Sequence, residues 1–377
     1  MNTFAKHIAL GCMLGMSLLQ GCAKAPDSSN TVAVQQPTVV APVAPTPVAD
    51  SSVTAVAAGD VELAAAMPAA TAETAPAAAP PASESPDTQS AVAVAPHAAL
   101  SPDELAAHQG EVDQLCAQIG DKLGSVDTKD CLDQLFRFGG GYSVHGRPLM
   151  YKELPPTVVS SSSSTDKPDR PFRVLLMGGV HGDEYSSISI VFKWLTLFSP
   201  TALEGEFHWR FAPLVNPDGL LDGGQAVRQN ANGVDLNRNF PSEDWNDTAV
   251  AYWQESTGSN PRRFPGSAAA SEPEVQWIVQ QMIDFQPDVI VSVHAPYHLL
   301  DFDGPAEAPR NIGELYLHQL GVYPGSLGNY AGLNKSIPVV TLELPSAGIM
   351  PKPDQIALMW KDLVSWLDRE GRKKIPN

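Results

Sequence analysis

The sequence predicts an α/β fold: helices cover both faces of a mixed, mostly parallel, twisted sheet, and a short helical appendage precedes it. Four segments are predicted strands because they are almost continuous apolar runs, typical of strands buried on both faces. Segments with helical spacing alternate with them, as in α/β domains. The strand candidates are FRVLLMGG, HWRFAPLV, DVIVSVH and PVVTLEL, and the helix candidates include EYSSISIVFKWLTLF, SEPEVQWIVQQMIDF and QIALMWKDLVSWLDREG.

The start of the chain has the organisation of an export signal. A polar start with one lysine precedes an apolar run that is too short for a membrane span. The run ends in Leu-Gln-Gly-Cys22, which resembles a bacterial lipobox and implies cleavage before Cys22 and lipidation of its thiol. Residues 1–21 are therefore expected to be a lipoprotein signal peptide; an ordinary signal with a chance cysteine is the alternative. By the same resemblance, Ala23 favours the outer over the inner membrane of a Gram-negative bacterium, on the periplasmic face.

Residues 22–100 are expected to form a disordered tether from the lipidated Cys22. After Cys22 the segment is rich in Ala, Pro, Val, Thr and Ser and contains no Phe, Trp or Tyr. It cannot bury enough apolar area to offset its ordering entropy. The net charge of −18 argues against a nucleic-acid partner, whose phosphates would be repelled. No later run is long and apolar enough to span a bilayer, so the expected membrane contact is the lipid anchor.

Residues 101–138 are predicted to form the helical appendage, and residues 139–377 the catalytic domain. Ser101 is a suitable helix N-cap, and Glu104 completes a capping box with it. Cys116 and Cys131 are the two cysteines that remain after the signal is removed and Cys22 is lipidated. In an oxidising compartment a disulfide between them is the default expectation, with two free buried thiols as the alternative.

Three of the predicted strands lead to residues that can bind a metal. FRVLLMGG is followed by His181 and Glu184, DVIVSVH ends on His294, and PVVTLEL carries Glu343 near its end. Two imidazoles and a carboxylate are the ligand set of a catalytic zinc that keeps one position open for water. The alternatives are a loop histidine at 181, a carboxylate in a first helical turn at 184 and a core imidazole at 294.

These patterns together resemble the zinc carboxypeptidase family. In chain order the sequence has His-x-x-Glu, the stretch RQNANGVDLNRNF at 228–240, a strand ending in His and a strand ending in Glu. YSVHGRPL, residues 142–149, is similar to the family's opening strand, and YPGSLGNYAG, residues 323–332, is most similar to the branch called murein peptide amidase. The resemblance covers residues 139–370. It implies the family's fold, one zinc ion per chain and hydrolysis of an amide bond next to a free carboxylate.

Carried onto this sequence, the resemblance implies a role for each matching residue. The expected zinc ligands are His181, Glu184 and His294, which is the set that carboxypeptidase A uses. Around them, Asp235 would hold the tautomer of His181, Arg228 would stabilise the oxyanion and Glu343 would be the general base and then the acid. The substrate's terminal carboxylate would be bound by Asn237 and Arg238 and covered by the mobile Tyr323.

The expected substrate is a cell-wall peptide, because the murein peptide amidase branch cleaves the γ-D-glutamyl–diaminopimelate bond of peptidoglycan peptides. If APYHLLDFDGP is extended, Asp301 and Asp303 face the same side, beside the pocket for the released residue. The carboxylate of Asp301 could bind the ammonium of diaminopimelate. Three alternatives stay open: a general metallocarboxypeptidase, an acylase of the succinylglutamate desuccinylase or aspartoacylase type, and a catalytically silent lipoprotein that binds peptidoglycan. The oligomeric state is unknown from the sequence.

Overall fold

A computed structural model describes residues 102–157, 170–371 and 373. The predicted signal peptide, the lipidated Cys22, the tether and the N-cap Ser101 lie outside the described residues and stay predictions. Within the described ranges, no helix is both long enough and apolar enough to cross a membrane.

Strands and helices alternate along most of the described chain. The strands are Arg137–Tyr142 (β1), Pro148–Leu154 (β2), Arg173–Met177 (β3), His208–Ala212 (β4), Val289–His294 (β5), Leu299–Asp303 (β6), Asn311–Ile312 (β7), Leu315–Tyr316 (β8) and Val339–Glu343 (β9). The α-helices are Pro102–Lys122 (α1), Thr128–Leu132 (α2), Tyr185–Leu197 (α3), Pro217–Leu221 (α4), Trp245–Thr257 (α5), Pro273–Phe285 (α6) and Pro353–Gly371 (α7). Shorter turns are the 3₁₀ segments Leu203–Glu206, Leu236–Arg238 and Pro261–Arg263 and the π-helical segment Gly328–Asn334.

The main sheet has seven strands in the order β1-β2-β4-β3-β5-β9-β6. The central strands β4, β3, β5 and β9 are parallel to one another. Strand β2 is antiparallel to both β1 and β4, and β6 is antiparallel to β9. Only β2 and β6 therefore run against the other five, which confirms the predicted mixed, mostly parallel sheet.

Helices pack on both faces of this sheet, as predicted. Val174 and Leu176 of β3 belong to a core that includes α3 and α7. The alternate residues Leu175 and Met177 belong to a second core that includes α6. Because side chains alternate along a strand, these two cores lie on opposite faces. Burial on both faces explains why the central strands are nearly continuous apolar runs.

The segment predicted as an appendage packs on the first of these cores. Val112, Leu115 and Ile119 of α1 are buried in the same cluster as Phe192 of α3. Cys116 and Cys131 form a disulfide that joins α1 to α2, with their Cα atoms 5.4 Å apart. The predicted domain boundary at residue 139 stays a prediction.

The predicted opening strand YSVHGRPL is wrong as a single strand. Its middle is the turn between β1 and β2, in which the Ser143 amide donates to the Arg147 carbonyl over 2.8 Å. Gly146 has a φ of +76°, a conformation that glycine adopts at little cost. The buried Asp218 accepts hydrogen bonds from the Ser143 hydroxyl at 2.8 Å and the Arg147 guanidinium at 2.6 Å. Asp218, which fixes the turn, is distant from it in the sequence.

Candidate active site

The carboxyl ends of three neighbouring parallel strands bring the predicted site together. Strand β5 ends at His294 and β9 ends at Glu343, and these two residues are directly paired in the sheet. Strand β3 lies on the other side of β5, and four residues after it the chain reaches His181. The carboxyl edge of a parallel sheet is where α/β proteins assemble their sites.

The three predicted zinc ligands form one buried cluster. Candidate ligand atoms of His181, Glu184 and His294 all lie within 4.8 Å of one another. The carboxylate of Glu184 lies between the imidazoles, 2.7 Å from His181 Nδ1 and 3.2 Å from His294 Nδ1. The two Nδ1 atoms are 3.2 Å apart.

The outer nitrogens of both imidazoles show that this cluster suits a metal cation. His181 Nε2 lies 3.0 Å from the Asp235 carboxylate, a partner that would hold the proton on Nε2 and free Nδ1 for a metal ion. His294 Nε2 lies 3.0 Å from the Ser292 hydroxyl, and its Nδ1 faces Glu184. The atoms that face the centre of the cluster are therefore two imidazole nitrogens and a carboxylate, a donor set that fits Zn²⁺.

Arg228 ties this cluster together electrostatically. Its Nε donates to Asp235 over 3.0 Å and its Nη1 to Glu184 over 3.3 Å. Burial alone would raise the pKa of both carboxyls. His181 and His294 nevertheless hold the pKa of Glu184 below its ordinary value, and Arg228 and His181 do the same for Asp235. Burial would lower the pKa of Arg228, but Asp235 and Glu184 raise it, so all of these charges persist at neutral pH.

Gly182, within the His-x-x-Glu turn, permits the close approach that positions both ligands. A Cβ at this position would lie 2.0 Å from the carbonyl carbon of Gly219. The turn therefore packs directly against the backbone of α4. Any other residue there would force the turn and the backbone of α4 apart.

Glu343 is buried beside the candidate metal ligands. Its Oε2 accepts a hydrogen bond from the Tyr297 amide at 3.4 Å. Burial raises the pKa of Glu343 to about 7, with the charge of Glu184 adding to the effect and His294 opposing it. A carboxyl with a pKa near neutrality can both accept and return a proton.

Asn237 and Arg238 lie on the other side of Asp235, in the 3₁₀ segment Leu236–Arg238. The Asn237 side-chain oxygen accepts from the Leu327 amide at 2.8 Å, which leaves its NH₂ group as the donor for a ligand. Arg238 is buried, and within the described ranges of the chain it forms no ion pair. Burial lowers its pKa, and Asp235 opposes that shift. A buried guanidinium without a carboxylate partner is suited to bind an anion.

Tyr323 covers Arg238 in this structure. The centre of its ring lies 4.5 Å from Arg238 Cζ, a cation–π arrangement. Its hydroxyl donates to the Leu320 carbonyl over 3.1 Å. The predicted closure of Tyr323 over a substrate stays a prediction.

Asp301 and Asp303 lie on strand β6, on the face that carries Glu343. Asp301 is paired with Thr341, and Thr341 and Glu343 lie on the same face of β9 because they are two residues apart. Asp301 is buried and accepts from the Leu320 amide at 3.2 Å. Burial raises the pKa of both aspartates, and with the added charge of Asp301 the pKa of Asp303 reaches about 7. The extended conformation that the sequence analysis assumed for this segment is the one observed.

The π-helical segment Gly328–Asn334 closes over Asp303 and connects it to Asn237. A Cβ on Gly328 would lie 2.0 Å from the Asp303 carboxylate, so the glycine allows this contact. Leu327, one residue earlier, donates its amide to Asn237. We call Asn237, Arg238, Asp301 and Asp303 the release side, after the role that the resemblance implies for them.

Sequence reasoning missed two sets of residues around the site. One is the loop of residues 260–266, whose adjacent Arg262 and Arg263 were the available signal. The other supports the loop that carries Arg228. There the Asn230 side chain donates to Glu272 over 2.7 Å and to Glu274 over 3.0 Å. The Ser-Glu-Pro-Glu sequence gives no sign of a partner that lies about forty residues upstream.

Comparison with known proteins points to the same chemistry. Residues 134–302 match the sequence profile of the zinc carboxypeptidase family, a range that includes His181, Glu184 and His294 but ends before Glu343. Murein peptide amidase A of Escherichia coli K12 is 29% identical over 239 residues, which cover 61% of this chain and 90% of that protein. Murein peptide amidase A of Vibrio campbellii is 29% identical over 214 residues, covering 54% of this chain and 77% of that protein.

Solved structures are similar to parts of the chain. The murein-tripeptide amidase of E. coli O157 is 26% identical, with a TM-score of 0.42 over 61% of this chain and 92% of that one. Carboxypeptidase A from Helicoverpa armigera is 17% identical, with a TM-score of 0.48 over 73% of this chain and 82% of that one. The family profile and the named relatives indicate a hydrolytic enzyme. Residues 134–302 of this chain therefore match a zinc carboxypeptidase domain.

Proposed function

We propose that this protein is a zinc-dependent amidase that cleaves γ-D-glutamyl–diaminopimelate in peptidoglycan peptides. The family supports the hydrolytic chemistry, and two relatives named murein peptide amidase A support the substrate class. His181, Glu184 and His294 would hold the zinc. When bound, zinc would supply Lewis acidity, which polarises a carbonyl and lowers the pKa of water.

Glu343 is suited to move the proton in this reaction. As a buried carboxylate with a pKa of about 7, it can take a proton from water during attack on the scissile carbonyl. It can then return the proton to the departing amine. Arg228 uses two of its donors on Asp235 and Glu184, which leaves others for the negative charge that develops on the carbonyl oxygen.

The charges of the release side carry the substrate assignment. Diaminopimelate offers a carboxylate next to the scissile amide and, at its far end, an ammonium with a second carboxylate. The unpaired Arg238 and the NH₂ group of Asn237 fit the first carboxylate. The buried Asp301 of β6 fits the ammonium, and an apolar residue would leave it unpaired. The single observation behind the proposal is this combination of an unpaired buried cation, Arg238, with a buried acid, Asp301, on the sheet face that carries Glu343.

Product analysis tests the proposal directly. Zinc-loaded protein is incubated with L-Ala-γ-D-Glu-diaminopimelate, and the products are identified by mass spectrometry. We expect free diaminopimelate and L-Ala-D-Glu. Glu343→Gln serves as the control: it should keep zinc and substrate affinity but lose about a hundred- to ten-thousand-fold in turnover, because only proton transfer is removed. An intact tripeptide, or cleavage only before apolar residues, would reject the assignment.

We also propose that the enzyme is an exported lipoprotein on the periplasmic face, anchored through Cys22. The support is the sequence of the export signal and the lipobox. Cys22→Ala should move the protein from the membrane fraction to the soluble fraction. Unchanged fractionation would show that another feature holds it at the membrane.

A further inference from the structure

Asn216, directly before α4, joins the two backbone segments that carry His181 and Arg228. Its side chain is fully buried. The Nδ2 group donates to the Arg228 carbonyl over 3.1 Å and to the Val180 carbonyl, next to His181, over 3.4 Å. The Asn216 main-chain amide donates to the Gly179 carbonyl, in the turn after β3, over 2.8 Å. One residue therefore holds both segments in a fixed relation to each other.

A third hydrogen bond of the Asn216 side chain shows which of its end atoms is the donor. The Gly219 amide donates to Asn216 Oδ1 over 2.8 Å, so the NH₂ group is the end that faces the two carbonyls. Both N–H donors are used in this arrangement. An ionised aspartate would instead place negative charge against two carbonyl oxygens, and a serine would have one donor on a shorter side chain. The contacts therefore require an asparagine.

Gly219, in the first turn of α4, lets these segments converge. A Cβ on Gly219 would lie 2.6 Å from Asn216 Nδ2 and 2.6 Å from the Gln229 carbonyl oxygen. The Gly219 carbonyl accepts from the Val227 amide at 2.8 Å, and these two contact residues flank the arginine. Gly182, in the His-x-x-Glu turn, packs against the same backbone from its other side. The first turn of α4 thus supports both segments.

Arg228 is held at both ends, by different groups. Its guanidinium donates to Asp235 and Glu184, whereas Asn216 holds its backbone carbonyl. Donors that stabilise a developing charge are most effective when they are already in place and do not reorganise during the reaction. A displacement of about 1 Å can lower a rate by about a hundredfold. Loss of the backbone anchor is therefore expected to affect the donors that Arg228 offers to a substrate.

We propose that Asn216 is a positioning residue for Arg228. Through the Arg228 carbonyl, Asn216 sets where the remaining guanidinium donors meet the negative charge that develops on the scissile carbonyl oxygen. The side chain of Asn216 is bonded to backbone atoms, so it acts through Arg228 and not on the substrate. This inference rests on the proposed function, which assigns the developing charge to Arg228.

A double-mutant cycle tests the inference. Asn216→Ser keeps an oxygen that can cap α4 but removes the two amide donors. With zinc-loaded protein and L-Ala-γ-D-Glu-diaminopimelate, we expect kcat to fall about tenfold and KM to change less than twofold. In an Arg228→Gln background, Asn216→Ser should lower kcat less than twofold, because the group that it positions is already absent. Asp127→Ser, at the N-cap of α2, is the control and should change neither value.

Inhibitor binding gives a second readout that does not depend on turnover. A phosphinate peptide, in which a tetrahedral phosphinate replaces the scissile amide, carries negative charge where the oxyanion develops. Asn216→Ser should weaken its binding about tenfold in the wild-type background. In the Arg228→Gln background it should not weaken binding further. Zinc content should remain one ion per chain in every variant.

Each outcome decides one question. If wild-type protein cleaves neither the diaminopimelate peptide nor one ending in leucine, the proposed function fails and the inference falls with it. If it cleaves only the leucine peptide, the substrate assignment fails and the cycle is measured on that peptide. A tenfold loss in both backgrounds, or no loss in either, overturns the inference. Loss of zinc from Asn216→Ser would show that Asn216 acts through the His181 turn, and also overturns it. If the serine variant were unstable, Asn216→Asp, which keeps the size and the capping oxygen, decides in the same cycle.

Discussion

The candidate metal ligands and the release side are two regions of the candidate site, and both contain buried charges. Around the metal ligands, each charged group has an opposite partner: Arg228 contacts Glu184 and Asp235, and Asp235 contacts His181. On the release side, Arg238, Asp301 and Asp303 form no ion pairs with the part of the chain that the structure describes. The charges around the metal ligands are thus paired within the protein. The charges of the release side would find partners in a zwitterionic ligand.

The pKa values follow the same division. Although burial acts on all of these carboxyls, Glu184 and Asp235 have lowered pKa values because cations offset the loss of hydration. Burial raises the pKa values of Asp301 and Asp303; the charge of His318 only partly opposes the shift of Asp301, and the charge of Asp301 adds to the shift of Asp303. Unpaired buried charges destabilise a fold, so their presence is expected only where a ligand supplies the missing partner. The paired charges around the metal ligands thus hold the ligand side chains in place, and the unpaired charges of the release side are suited to bind a charged ligand.

The largest expected effect comes from breaking the complete network. His294→Ala removes one of three candidate ligands, so we expect loss of stoichiometric zinc and a fall in hydrolysis to the rate of the uncatalysed control. The domain should still fold, because a catalytic metal contributes little to the core. Metal analysis and circular dichroism measure these outcomes separately. A His294→Ala protein that keeps one zinc per chain would remove His294 from the ligand set.

Removing the unpaired cation should affect binding without breaking a network. Arg238→Ala should lower kcat/KM about tenfold to a hundredfold on a substrate with a free carboxylate next to the bond, from about 1.5–3 kcal/mol lost. Thermal stability should change little, since only the stacking with Tyr323 and one hydrogen bond to the Asn237 carbonyl are lost. The same peptide with that carboxylate amidated is the control, and it should be cleaved equally by both proteins. An equal loss on both peptides would assign Arg238 a structural role.

The two regions also differed in how far the sequence could predict them. His181, Glu184 and His294 follow continuous apolar strands, so their position at one edge of the sheet follows from the pattern of the chain. The contacts of the release side join segments that are distant in sequence. Gly328 covers Asp303 only because the π-helical segment folds onto β6, and no local propensity specifies that packing. The pairing of Arg262 with Asp183 spans 79 residues and was missed for the same reason.

Asp301 tests whether the acids of the release side select the substrate. Asp301→Leu should cut activity on diaminopimelate peptides about tenfold, or about 1.4 kcal/mol, because the ammonium loses its partner. Cleavage before an apolar residue should be unchanged or faster. Rates on a matched pair of tripeptides, ending in diaminopimelate or in leucine, give the comparison. A similar change for both peptides, or none, would exclude Asp301 from specificity.

The smallest expected effect concerns stability and comes from Asp303. Burial and the charge of Asp301 raise the pKa of Asp303 from 3.8 to about 7, so the folded protein favours the protonated form. Its contribution to stability is therefore full below pH 3.8 and is lost as the pH rises towards about 7. Asn at this position cannot ionise. We therefore expect the stability of Asp303→Asn relative to wild type to rise from about pH 5 to about pH 8. Urea unfolding at these two pH values measures the free energy of unfolding of both proteins. Asp121→Asn, at an exposed position on α1, is the matched charge control. A difference between Asp303→Asn and wild type that is independent of pH would show that Asp303 is already ionised and solvated in the folded protein. Asp303 would then not belong to the unpaired acids with a raised pKa.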